Sequence, residues 1–132
     1  MTEKSSMKAM TWRGGNNFTS DQLEIPQVID KTCLIEIDTA GICGTDIHIT
    51  QGLFPSPENV VLGHEFSGKV VEVGKGVDKN LLNQSVTAQP VGGCGLCESC
   101  KKWSLSHCEK NKRRAGAFSE YVLVDEIGRA HV

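Results

Sequence analysis

Cys94, Cys97, Cys100 and Cys108 stand in the pattern C-x2-C-x2-C-x7-C, which puts four of the chain's six cysteines within fifteen residues. Two-residue gaps let successive thiolates turn back onto one tetrahedral ion, and Gly92, Gly93 and Gly95 give the backbone room to turn that tightly. In a reducing compartment a cluster this dense reads as a metal site rather than a disulfide framework. An iron–sulfur run would close with a three-residue gap and a proline; here the last gap is seven and Glu109 follows. A two-knuckle nucleic-acid ribbon would spread its ligands over about 15–20 intervening residues, whereas all four sulfurs here fall in one loop. The remaining alternative is four unrelated cysteines. A closed set of four thiolates leaves no open coordination position, so the expected role is a structural zinc site.

The compartment is inferred from the rest of the chain. Its 132 residues, 39% hydrophobic and 23% charged, suit one globular domain that buries its own core. There is no run of 18 apolar residues to span a bilayer and no apolar stretch among the first ten residues to act as a secretory signal. A cytoplasmic protein is therefore expected. A formal charge of −2 gives no global basic field for nucleic acid or a membrane surface. Lys101, Lys102, Lys110, Lys112, Arg113 and Arg114 do flank the cysteine cluster. Only Trp103 interleaves an aromatic ring among them, so a solvated face beside an anionic thiolate–zinc centre is expected rather than a stacking platform for nucleic acid.

Hydrophobic periodicity predicts short strands. Thr32 to Asp38 alternates, with Cys33, Ile35 and Ile37 on one face and Thr32, Glu36 and Asp38 on the other, as in a half-buried strand. Phe66 to Val73 is a second β-rich run, Ser85 to Gln89 a third that stops at Pro90, and Phe118 to Val124 a fourth, with Phe118, Val122 and Val124 sharing a face. No segment of 12 residues keeps a helical apolar period. A mainly β fold follows, either barrel or sandwich. Gly74-Lys-Gly76 follows a strand, but Lys79 stands where a dinucleotide cradle needs its third glycine. This segment is expected to be a turn.

A second constellation lies earlier in the chain. Cys43-Gly-Thr45-Asp46-Ile-His48 and Gly63-His64-Glu65 together offer a thiolate, imidazoles and a carboxylate, the donor types of a catalytic zinc. Each residue also has a plain structural reading, as packed cysteine or hydrogen-bonded core histidine. The second histidine of H-E-x-x-H is missing, which excludes a zincin protease.

The segments Ala40-Gly-Ile-Cys-Gly-Thr-Asp-Ile-His48 and Leu62-Gly-His-Glu-Phe-Ser-Gly-Lys-Val-Val-Glu-Val-Gly74, followed by the four-cysteine lobe, resemble the zinc-containing medium-chain alcohol and polyol dehydrogenases in order and spacing. The likeness runs from about Met7 to Val124. It implies a GroES-like, partly open β-barrel over residues 1–132, with a structural zinc lobe at residues 91–114. It implies a catalytic zinc held by Cys43 and His64, with Glu65 as an alternating or outer ligand. Thr45 would touch the substrate oxygen, His48 would carry its proton to solvent, and Asp46 would orient a zinc ligand. Cys94, Cys97, Cys100 and Cys108 would hold the structural zinc, and Cys33, outside every family motif, would be a core thiol.

The implied activity is zinc-assisted oxidation of an alcohol or polyol, with the hydride passed to NAD or NADP. The family's Rossmann domain, its dinucleotide site and one further catalytic-zinc ligand fall outside these residues, so the 132-residue chain alone is expected to be inactive. Asn83-Gln-Ser85 stands where the family often has a Gly-Asp turn. The expected partner is a small alcohol or polyol, with no nucleic acid and no membrane, and self-association into a homo-oligomer is compatible with the reading. Two rival classes are a zinc-binding module without catalytic activity that acts through partners, and a zinc protein that binds nucleic acid through the basic lobe.

Overall fold

The computed structural model describes residues 4–102, 104–110, 112–113, 115–125 and 129–131. Along these residues run ten strands: β1 (Ser6–Gly14), β2 (Asn17–Glu24), β3 (Thr32–Gly41), β4 (Val60–Val61), β5 (Glu65–Val73), β6 (Ser85–Ala88), β7 (Val91–Gly92), β8 (Lys112–Arg113), β9 (Tyr121–Asp125) and β10 (Arg129–His131). Two short helices, α1 (Gly44–Thr50) and α2 (Glu98–Lys102), interrupt them. No helix among the described residues is long and apolar enough to cross a membrane.

The strands form three open sheets. The central one has the order β10-β6-β5-β3-β9, a second the order β2-β1-β4, and a two-stranded ribbon pairs β7 with β8. This is the mainly β, open-barrel architecture expected from the sequence. All four anticipated strands exist, with shifted ends: β5 starts at Glu65, β6 stops at Ala88, and the last runs Tyr121–Asp125 rather than from Phe118. Phe118 precedes that strand and packs with Trp12, Ile49 and Leu62, away from Val122 and Val124. It therefore does not share their face.

The expectation for β3 needs a correction too. Cys33, Ile35 and Ile37 do meet Val70, Val86, Val122 and Val124 in one cluster. Leu34, however, points the other way into a second cluster with Met7 and Tyr121, and Thr32 is buried with its hydroxyl donating to the Ile29 carbonyl at 2.8 Å. A cluster packs on each face of the first half of β3, and of the three residues expected to face solvent only Glu36 and Asp38 do so. Each fully buried aliphatic side chain here contributes about 1.5–3 kcal/mol.

The β1–β2 hairpin was not anticipated, because β2 is polar and largely exposed and shows no apolar alternation. Gly74-Lys-Gly76 is the turn expected: a Cβ at position 74 would lie 1.9 Å from the Ile29 carbonyl oxygen, a contact only glycine tolerates. Asn83, at the turn where the resemblance implies a glycine, takes a φ of +66° while its N–H donates to the Val70 carbonyl at 2.8 Å.

Candidate metal centres

The antiparallel pairing of β3 with β5 assembles the first centre. Gly41, the last residue of β3, lies opposite Glu65, the first of β5. That register brings Cys43, just past one strand, beside His64, just before the other. One donor atom from each of Cys43, His64 and Glu65 then lies within 4.8 Å of the others. Gly63 makes the approach feasible: its φ is +92°, and a Cβ there would meet the Phe118 ring at 2.7 Å and the Phe118 backbone nitrogen at 2.9 Å.

Asp46 ties the centre together from behind. Cys43 is the N-cap residue of α1, and its N–H donates to Asp46 Oδ2 at 3.0 Å. The other carboxylate oxygen, buried and without a hydrogen bond, faces His64 Nδ1 at 3.6 Å. This arrangement turns Nδ1 toward the carboxylate and leaves Nε2 as the nitrogen available to an ion, the usual way an outer carboxylate orients a ligating histidine. A thiolate, an imidazole and a carboxylate so placed fit a zinc-type ion.

Thr45 Oγ1 lies 3.7 Å from Cys43 Sγ. Thr45, Asp46 and His64 line a cleft of about 470 Å³ whose other walls are mostly apolar, among them Phe54, Pro57 and Leu62. His48 is exposed and lies outside that lining, one turn along α1 from Thr45.

In the second centre, Cys94, Cys97, Cys100 and Cys108 bring their sulfurs within 4.8 Å of one another. Backbone N–H groups point at these sulfurs: Leu96 and Cys97 donate to Cys94 at 3.4 and 3.3 Å, Cys100 to Cys97 at 3.5 Å, and Cys94 and Lys110 to Cys108 at 3.3 Å. Gly95, with φ +71°, permits the turn that aims the first two. Such donors favour thiolate over thiol. They hold Cys94 down to about 6, chiefly through the Leu96 and Cys97 amides, and lower Cys97 through the Cys100 amide. Burial instead pushes Cys100 up to about 12, with the neighbouring sulfurs of Cys97, Cys108 and Cys94 adding to the rise. Four converging sulfurs of this kind are the donor set of a closed tetrahedral zinc site. No disulfide joins any of the six cysteines.

The amides that lower Cys94 favour the thiolate, the form in which a cysteine ligates a metal.

Of the basic residues flanking the lobe, Lys101, Lys102 and Lys110 are exposed, and Lys102 pairs with Glu98. Trp103 and Arg114 lie outside the described residues, and for Lys112 and Arg113 only the backbone is described.

The structure thus brings together Cys43, His64 and Glu65, with Thr45 and Asp46 around them, and separately the four cysteines. Cys33 lies fully buried in the core, apart from both. What sequence reasoning missed is the cleft wall from Phe54 to Pro57; its signal was the apolar, proline-punctuated run Phe54-Pro-Ser-Pro57 between the two motifs.

A model of the alcohol dehydrogenase GroES-like domain family matches residues 30–131. D-arabitol-phosphate dehydrogenase of Enterococcus avium is 40% identical over 110 residues, covering 79% of this chain and 31% of that protein. Sorbitol dehydrogenase of Halalkalibacterium halodurans is 32% identical over 133 aligned positions, covering 96% of this chain and 39% of that protein. The structure of acetophenone reductase from Geotrichum candidum in complex with NAD superposes with a TM-score of 0.89 at 28% identity, covering 100% of this chain and 41% of the other. The chain thus spans roughly a third to two fifths of the length of these relatives.

Proposed function

Because the chain belongs to the alcohol dehydrogenase GroES-like domain family, we propose that residues 1–132 are part of the catalytic unit of a zinc-dependent oxidoreductase that oxidises an alcohol or polyol with NAD or NADP as hydride acceptor. The single observation that carries this reading is the convergence of Cys43, His64 and Glu65 beside a cleft that Thr45 also lines.

In this reading Cys43, His64 and Glu65 hold the catalytic zinc, which supplies Lewis acidity toward an alcohol oxygen when bound. Thr45 presents its hydroxyl to the cleft, where Oγ1 would take up the substrate proton as it gives up its own. His48, one turn along the same helix and open to water, carries that proton away. Asp46 fixes the Cys43 backbone and the His64 ring, and the apolar wall keeps bulk water from the reacting oxygen. Cys94, Cys97, Cys100 and Cys108 hold a structural zinc that shapes the lobe at residues 91–114. The substrate class follows the sugar-alcohol and alcohol dehydrogenases among the relatives. A cytoplasmic setting suits six cysteines without disulfides. The exposed lysines of the lobe, one already paired with Glu98, offer nucleic acid little, and the family's chemistry needs no such partner.

A chelator titration of zinc-loaded protein tests the assignment. Two ions per chain are expected, released in two phases, with the Cys43–His64–Glu65 ion leaving first because it has fewer protein donors. His64→Ala should abolish the fast phase alone. Release in a single tight phase, or a fast phase that survives His64→Ala, would refute the assignment. A purely structural zinc module would show only the slow ion.

A further inference from the structure

The cleft wall is held from outside by a part of the chain that the family match does not include. That match begins at residue 30, whereas the β1–β2 hairpin occupies residues 6–24. The segment between α1 and β4 supplies Phe54, Pro55, Ser56 and Pro57 to the cleft. Its two prolines have no N–H to donate, so this stretch has less backbone hydrogen bonding with which to define its own shape.

The hairpin compensates at the far end of the segment. Arg13 donates from Nη1 to Asn59 Oδ1 at 3.0 Å, from Nε to Thr19 Oγ1 at 3.0 Å, and from Nη2 to Asp21. One planar guanidinium thus joins two residues of β2 to the end of the cleft wall. Asn59 itself has φ +62° and donates its N–H to the Trp12 carbonyl at 2.9 Å. Glu58 lies so close over the hairpin turn that a Cβ on Gly14 would approach its carboxylate oxygen to 2.5 Å. On the inner side, Trp12 packs against Ile49 and Leu62, which line the cleft, with Phe54 and Val60 beside them.

We propose that Arg13 is a positioning residue: through Asn59 it holds the Phe54–Pro57 wall at the spacing that admits the carbon body of the substrate. The inference rests on reading this cleft as the substrate site. Arg13 touches neither the metal donors nor the cleft itself, so its effect is on the fit of a bulky substrate and not on what the metal binds.

The test uses the full chain with zinc kept in the four-cysteine site and cobalt placed in the Cys43 site alone, so that the cobalt–thiolate absorption reports ligands at Cys43. The probes are imidazole, which is small and binds the metal directly, and benzyl alcohol, which fills the wall. The variants are Arg13→Met, Asn59→Gly, which keeps the positive φ, and the double variant. Each single variant is expected to weaken benzyl alcohol about tenfold while imidazole shifts by less than about twofold, and the double variant is expected to be no worse than either single, as for two halves of one contact. Arg13→Lys should not rescue, because one ammonium cannot span the three partners. Equal weakening of both probes, or single effects that multiply in the double variant, would overturn the proposal. Failure of imidazole to bind the unsubstituted chain would instead overturn the metal site on which it rests.

Discussion

Cys97→Ser is expected to remove one zinc ion per chain and to unfold the lobe between residues 91 and 114, leaving the five-stranded sheet intact. The lobe has little else to hold it. α2 buries none of its residues, and β7 and β8 pair over only two positions. Among the four cysteines only Cys108 is buried. With so little apolar burial, the order of this region depends on ligation, and structural zinc in small peptides contributes about 10–16 kcal/mol. Cys97 sits at the centre of the sulfur cluster, accepting the Cys100 N–H and lying 3.9 Å from the Cys108 sulfur. A serine hydroxyl is a far poorer zinc ligand than a thiolate, so the loss should be nearly complete. Elemental analysis gives the stoichiometry, and hydrogen exchange should show protection lost at residues 92–110 but kept at Cys33, Ile35 and Val70. An unchanged zinc count, or protection lost throughout the sheet, would show that the lobe is not a separate metal-held unit.

A polypeptide of these 132 residues alone, fully loaded with zinc, is expected to form no measurable NADH from ethanol, 2,3-butanediol, sorbitol or threonine. Hydride transfer requires the nicotinamide to be held against the substrate carbon, and such positioning is worth roughly 7–11 kcal/mol of barrier. The sequence carries no G-x-G-x-x-G, and the described strands pair antiparallel, with no βαβ unit to cradle a pyrophosphate. In the NAD complex of acetophenone reductase this chain corresponds to 41% of the protein. NAD would meet the metal-side substrate only by collision. The apolar residues Ile42 and Ile47, 74% and 49% exposed beside the candidate centre, should also promote self-association of the isolated polypeptide. Absorbance at high protein concentration, with and without chelator, decides the matter: zinc-dependent turnover would mean that these residues position the dinucleotide after all.

The two metal centres differ in how far they could be read before the fold was known. The four-cysteine centre is local. Gaps of two, two and seven residues can close on one ion within a single loop, so spacing alone predicted the convergence observed. The Cys43 centre is not local. Donor types named Cys43, His64 and Glu65 as candidates, and resemblance to a family made them a set. Only the pairing of Gly41 with Glu65 across β3 and β5 brings them together.

Strands were legible where one face was apolar, as in β5 and β9, and illegible where packing rather than composition made the strand, as in β2. The sequence by itself determined the mainly β class, the sulfur cluster, the turn at Gly74 and the donor inventory, because each rests on short-range spacing or on the chemistry of single residues. The tertiary structure alone decided which side of Asp46 faces His64, that Phe118 backs Gly63 instead of joining β9, and that Arg13 reaches Asn59. Those contacts join residues far apart in the chain, and their geometry depends on strand register and loop path, which no local pattern of side chains encodes.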